Sequence, residues 1–227
     1  MIAGAVYRDA LNLWKQHLGA VPGYVWEQTH LTSLVLADND LVDVPEDLGR
    51  LTHLRMLDLG HNKLARLPAA IGSLRGLTDF LYLHDNLLTG LPPELGNLTS
   101  LRYLNISQNR FTALAEAVSR LAGLIELRAT DNEISALPDG IGNLTRLREL
   151  HLRNNRLTSL PAAIGRLSAL RQLDLRGNPL EELPRELLTL PLLEKVDVRW
   201  VTTLRSPVVL DELEARGCIV YRDGGLS

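Results

Sequence analysis

Along most of this chain, apolar and polar residues alternate in short bursts that end on an asparagine. The segment Leu54-Arg55-Met56-Leu57-Asp58-Leu59-Gly60-His61-Asn62-Lys63-Leu64 is one such unit, of the form L-x-x-L-x-L-x-x-N-x-L. The period-two stretch x-L-x-L-x predicts a short strand whose leucines point inward, as at Leu57 and Leu59 or Leu150 and Leu152. The closing asparagine recurs at Asn39, Asn62, Asn86, Asn109, Asn132, Asn155 and Asn178, every 23 residues except for one interval of 24. Fixed self-similarity of this length means a solenoid, in which each coil buries its leucines only against its neighbours. The asparagine amide is expected to give its donors and acceptor to backbone groups of the turn and the adjacent coil.

The return half of each unit repeats too. Pro45, Pro68, Pro92, Pro138, Pro161 and Pro184 each stand six residues after a ladder asparagine, with Ala115 in that place once. The span L-P-x-x-I-G-x-L-x-x-L is too short for a long helix and predicts a turn on the convex side, with at most one helical or 3₁₀ turn. Residues from about Val6 to Leu18 read as an amphipathic helix that closes the first coil. At the other end, Cys218-Ile219-Val220-Tyr221-Arg222 reads as a ninth strand with Ile219 and Tyr221 inward. The expected layout is one α/β domain over 1–227. It has an N-terminal helix and half-repeat cap over 1–30, seven full repeats over 31–192, and a degenerate C-terminal cap over 193–227.

These motifs resemble the leucine-rich-repeat superfamily, and the L-P-x-x-I-G-x-L return is similar to its intracellular 23-residue class. The short chain and its ending look most like bacterial members. The resemblance implies a curved horseshoe with a parallel β-sheet on its concave face. It also implies a non-enzymatic module that binds a protein or peptide there. The alternative is a recognition subunit of an enzyme system, such as a ubiquitin-ligase-like effector, kinase or GTPase scaffold, with catalysis on another chain.

With the framework removed, the outward strand positions form columns along a face about 38 Å long for nine strands. Met56, Phe80, Tyr82, His84 and Tyr103 gather in the N-terminal half, in a chain with only ten aromatic residues. Aromatic residues and methionine are enriched in interface cores, although stacked rings also serve simply to cover a sheet. Arg153, Arg176, Arg199 and Arg222 form a column in the C-terminal half. Either nearby acids (Glu149, Asp174, Asp197, Glu194) neutralise it, or it holds an acidic or phosphate-bearing partner. Asn105, Arg128 and His151 complete the candidate partner-binding set. The 24-residue interval places an extra residue in Thr78-Asp79-Phe80; a tolerated insertion is the simpler account, and the alternative is a bulge that pushes Phe80 into the groove.

Charge narrows the partners. Lys and Arg total 24 against 27 Asp and Glu, a net charge of −3. That argues against a general nucleic-acid or anionic-membrane binder. The single cysteine, Cys218, excludes an intrachain disulfide and suits a reducing compartment. The first residues lack a basic n-region, and no run reaches the ~18 apolar residues that span a bilayer. A cytoplasmic location is expected. No phosphate loop, nucleophile elbow or zinc spacing is present, so no catalytic residue, cofactor or metal ligand is assigned. Cys218 lacks an activating base, and His61, His84 and Asp85 read as solvated loop-edge residues.

Overall fold

The computed structural model describes residues 9–223. Period-two alternation gives a three-residue strand in every coil. The strands are β1 (Ala10–Asn12), β2 (Ser33–Val35), β3 (Met56–Asp58), β4 (Phe80–Tyr82), β5 (Tyr103–Asn105), β6 (Glu126–Arg128), β7 (Glu149–His151), β8 (Gln172–Asp174), β9 (Lys195–Asp197) and β10 (Ile219–Tyr221). They form one ten-stranded sheet in sequence order, and every pair is parallel. The central residue of each strand from β2 to β9 is buried, and Leu57, Leu81, Leu104, Leu127 and Leu150 lose all solvent exposure. Burial of each such leucine stabilises by about 1.5–3 kcal/mol, and stacking joins these contributions into one continuous core.

The return segments are single 3₁₀ turns, eight of them among the described residues, from Gly23–Glu27 to Arg185–Thr189. Each follows a residue with φ between −60° and −73°. Proline locks that angle. Ala115 adopts φ −61° and ψ 137° without it, so the turn survives the substitution. Glycine four residues on lets the turns stack closely: a Cβ on Gly165 would lie 2.8 Å from the carbonyl oxygen of Glu186.

The asparagine ladder has the expected bonds. Asn109 Nδ2 donates to Ile106 O and Ser107 O (3.1 Å each) in its own coil and to Leu83 O (2.9 Å) in the preceding one. Its Oδ1 accepts from Leu88 N at 2.9 Å. The residue before each ladder asparagine takes positive φ, from Asp38 (58°) through Gln108 (55°) to Asn154 (53°), with glycine there only at Gly177. This left-handed step turns the chain out of the strand so that the amide can reach both coils.

Both ends differ from expectation. In place of a helix, Ala10–Asn12 is a strand paired with β2, and Gln16 N donates to Asn39 Oδ1 (2.9 Å). Leu11 and Leu13 alternate with polar residues, and the open edge of β2 offers ladder bonds that a helix would forgo. Residues 6–8 of the expected helix lie outside the described residues. At the far end, the return segment is an α-helix, α1 (Val208–Ala215), which lays Val209, Leu210 and Leu213 over the last coil. The helix shifts the register of β10 by one residue, so Ile219 pairs with Lys195 and Tyr221 with Asp197. A one-residue slip moves every side chain to the other face. Ile219 and Tyr221 therefore face outward and Cys218 is buried, contrary to the reading from the sequence. Arg222 leaves the arginine column and pairs with Asp211 and Glu214 of α1 at 2.8 and 2.7 Å.

Candidate functional site

The parallel register lines up equivalent outward side chains across the concave face. Met56, Phe80 and Tyr103 are direct partners in one column, and Asp58, Tyr82, Asn105, Arg128 and His151 in the next. The extra residue near Asp79 is absorbed before β4 begins, for β4 pairs without interruption on both sides. Phe80 lies half-buried in the groove, as expected.

The three rings of β4 and β5 form one cluster. Phe80 stacks on Tyr82 at 5.8 Å between centroids and meets Tyr103 edge-on at 5.5 Å, while Tyr82 and Tyr103 are 5.1 Å apart. Burial raises the phenol pKa of Tyr82 and pushes that of Tyr103 up to about 12, so both hydroxyls stay protonated donors. Asn105 is partly committed, since its Oδ1 accepts from Ser107 N at 3.1 Å.

His84 continues the cluster toward the loop edge. Its ring meets Tyr82 at 6.1 Å and His61 at 4.6 Å, both edge-on. It lies over Gly60, where any Cβ would collide with the imidazole. His84 Nε2 is 3.2 Å from His61 Nε2, and His61 Nδ1 is 2.6 Å from Asp85 Oδ2. Burial, then the nearby His61, lowers the His84 pKa. The carboxylate of Asp85 sits behind His61, so these three residues form a hydrogen-bonded chain and do not converge on a common point. His84 Nδ1 is buried without a hydrogen-bond partner among the described residues.

The C-terminal half is built of fork-to-carboxylate pairs. Arg176 binds Asp174 through Nε (2.8 Å) and Nη2 (2.6 Å), and Arg199 binds Asp197 in the same way at 3.0 and 2.7 Å. Asp197 also lies 3.5 Å from Arg176 Nε. Burial alone would raise the Asp197 pKa; the bonds from Arg199 and the charges of Arg176 and Arg199 outweigh it and hold the pKa low. Arg153 pairs with Asp131 at 3.1 Å, with its Nε buried and unpartnered among the described residues. A depression of about 260 Å³ opens among Arg128, His151, Arg153, Arg176 and Lys195.

Two functional candidates were missed in the sequence. Trp200, largely exposed at φ 63°, lies 6.0 Å from the guanidinium carbons of both Arg176 and Arg199. Tyr221 faces Lys195 at 5.0 Å and Arg199 at 5.3 Å. Trp200 stands 23 residues after Gly177, in the left-handed slot of its coil, and that spacing could have revealed it. Cys218 offers no nucleophile, because its thiol is buried and burial raises its pKa.

Family comparison agrees with this geometry. Models described as leucine rich repeat, leucine-rich repeat region and leucine rich repeats (2 copies) match residues 29–80, 79–154 and 145–189. The chain belongs to the leucine-rich-repeat superfamily. No curated protein matches the sequence. Among solved structures, this leucine-rich-repeat chain is similar to a leucine-rich-repeat protein of Leptospira interrogans, with 26% identity and a TM-score of 0.71 over 94% of this chain and 65% of the other. An internalin of Listeria monocytogenes shares the fold at 22% identity, with a TM-score of 0.78 over 96% of this chain and 62% of the internalin. The plant peptide hormone receptor RGFR1, in complex with RGF2, is 25% identical with a TM-score of 0.73, over 90% of this chain and 34% of the receptor. The chain thus spans less than two thirds of each of these relatives. No helix among the described residues is long and apolar enough to cross a membrane.

Proposed function

We propose that this leucine-rich-repeat chain is a non-enzymatic interaction module that binds a protein or peptide on its concave face. Phe80, Tyr82 and Tyr103 are the anchor. Met56, His84 and Asn105 flank them, and Arg128, His151, Arg153, Arg176 and Arg199 orient the partner. The observation that carries this reading is the single contiguous ring cluster, half-buried on adjacent rigid strands and open toward the groove. Rigid aromatic anchors give large contact area at low conformational cost and dominate interface energetics. The similar peptide hormone receptor, seen with its peptide, supports a peptide-binding role for a repeat array of this kind.

Peptides selected by display on the intact chain provide the test. Tyr82→Ala with Tyr103→Ala should abolish binding of the selected peptides while circular dichroism and the melting midpoint stay near wild type. Undiminished binding by that folded variant would move the site away from the ring cluster.

A further inference from the structure

We propose that Glu126, Glu149 and His151 form a divalent-metal site of the Zn²⁺ class in the floor of the groove, where its two halves meet. The sequence separates these residues by 23 and two positions, and the fold brings them together. Glu126 and Glu149 are direct partners on β6 and β7, and His151 lies two residues beyond Glu149 on the same face. One donor atom from each lies within 4.8 Å of the other two. His151 Nε2 is 3.2 Å from Glu149 Oε2 and 3.8 Å from Glu126 Oε1. Ligands about 2.0–2.2 Å from a zinc ion are themselves roughly 3–3.5 Å apart, so small rotamer changes close this set on an ion.

Two features set the trio apart from an exposed acidic patch. Its third donor is an imidazole, whose side chain is only 16% exposed, like the 15% of Glu126. Its two carboxylates face each other in register, where like charges repel and a bound dication would turn repulsion into attraction. Carboxylate and imidazole together suit Zn²⁺ and its first-row neighbours better than Mg²⁺ or Ca²⁺. Three protein ligands leave positions open toward the groove, the arrangement in which a further group completes the shell.

Arg128 is the competitor. Its Nε lies 2.5 Å from Glu126 Oε1, and its side chain is half exposed, free to swing toward water when an ion enters. The site is independent of the peptide-binding reading, because metal uptake needs no partner.

The chelator-stripped chain, carrying His61→Ala to silence the His61–His84 pair, is titrated with Co²⁺ followed by its visible absorption, then with Zn²⁺ against a fluorescent zinc indicator. One equivalent is expected. Loss of an outer-sphere partner typically weakens a metal site about 10- to 100-fold, so removing a ligand, by His151→Ala or Glu149→Gln, should cost at least that. Arg128→Ala should tighten binding several-fold. No uptake by the stripped chain would overturn the proposal, as would uptake that His151→Ala and Glu149→Gln both leave unchanged. Weaker binding after Arg128→Ala would also contradict it.

Discussion

The two halves of the concave face share one backbone and differ in how their side chains are satisfied. In the C-terminal half, Arg176 and Arg199 already hold two-pronged bonds to Asp174 and Asp197. An acidic partner would have to displace those carboxylates, so its net gain is small. In the N-terminal half, Phe80, Tyr82 and Tyr103 touch one another and keep ring surface toward the groove. Burying that surface needs no internal bond to break. Charge on this face therefore offers orientation, and the rings offer affinity.

The largest expected contrast is in binding. Interface hot spots cost at least ~2 kcal/mol each when truncated, so Tyr82→Ala with Tyr103→Ala should cost about 4 kcal/mol and weaken a selected peptide by roughly 1,000-fold. Arg176→Ala with Arg199→Ala should weaken it by less than about tenfold, because each arginine brings only the surplus over its internal pair. Calorimetric titration of both variants decides; equal losses would erase the distinction between the halves. Stability should show no such contrast in the ladder. Asn109→Ala and Asn155→Ala each strand buried backbone groups and should cost about 1–3 kcal/mol, measured by urea denaturation. A difference larger than their errors would mean that the two halves are not equally stacked.

Much of this was legible in the sequence because two periods coincide. Alternation within a strand and the 23-residue repeat together placed Met56, Phe80, Tyr82 and Tyr103 on one surface. They also placed Asp174 and Asp197 beside the arginines. The ends were not legible, since a terminal coil packs on one side only and its pattern is weaker. The apolar spacing of Leu11, Leu13, Trp14 and Leu18 fits a helical stripe as well as an extended segment, and the open edge of β2, which pairs with Ala10–Asn12, decides between them. The one-residue shift of β10 depends on the length of α1, which no repeat period sets, so Tyr221 and Arg222 exchanged faces. The convergence of Glu126, Glu149 and His151 depends on rotamers, which spacing does not specify.

Acid should loosen the two halves at different pH. The His84 pKa is lowered by burial and by His61, so the folded chain binds its proton less readily than the unfolded chain. Stability from that group is full above the unfolded value of roughly 6.5 and declines as pH falls through it toward the lowered folded value. Asp58, whose pKa burial raises, acts in the opposite sense at lower pH. Asp197 keeps its contribution until pH falls below roughly 3.9, because its folded pKa is depressed. Hydrogen exchange at about pH 5.5 should show lost protection around Gly60 to Asn86 and none around Leu173 to Val198. His84→Gln should abolish that loss.

The smallest expected effect lies at the seam between the halves. Ala115 already has the backbone angle of a proline, so Ala115→Pro should stabilise by about 0.4–1 kcal/mol, chiefly by restricting the unfolded chain. A lower melting midpoint would show that this coil is more distorted than its neighbours.

The most direct measurement is hydroxyl-radical footprinting of the intact chain, free and saturated with a selected peptide, read by mass spectrometry at Met56, Phe80, Tyr82, Tyr103, Trp200 and Tyr221. A partner anchored on the ring cluster should protect the first four strongly and the last two weakly. Protection confined to Trp200 and Tyr221, with Phe80, Tyr82 and Tyr103 oxidised as in the free chain, would place the anchor in the arginine half and contradict the proposed site.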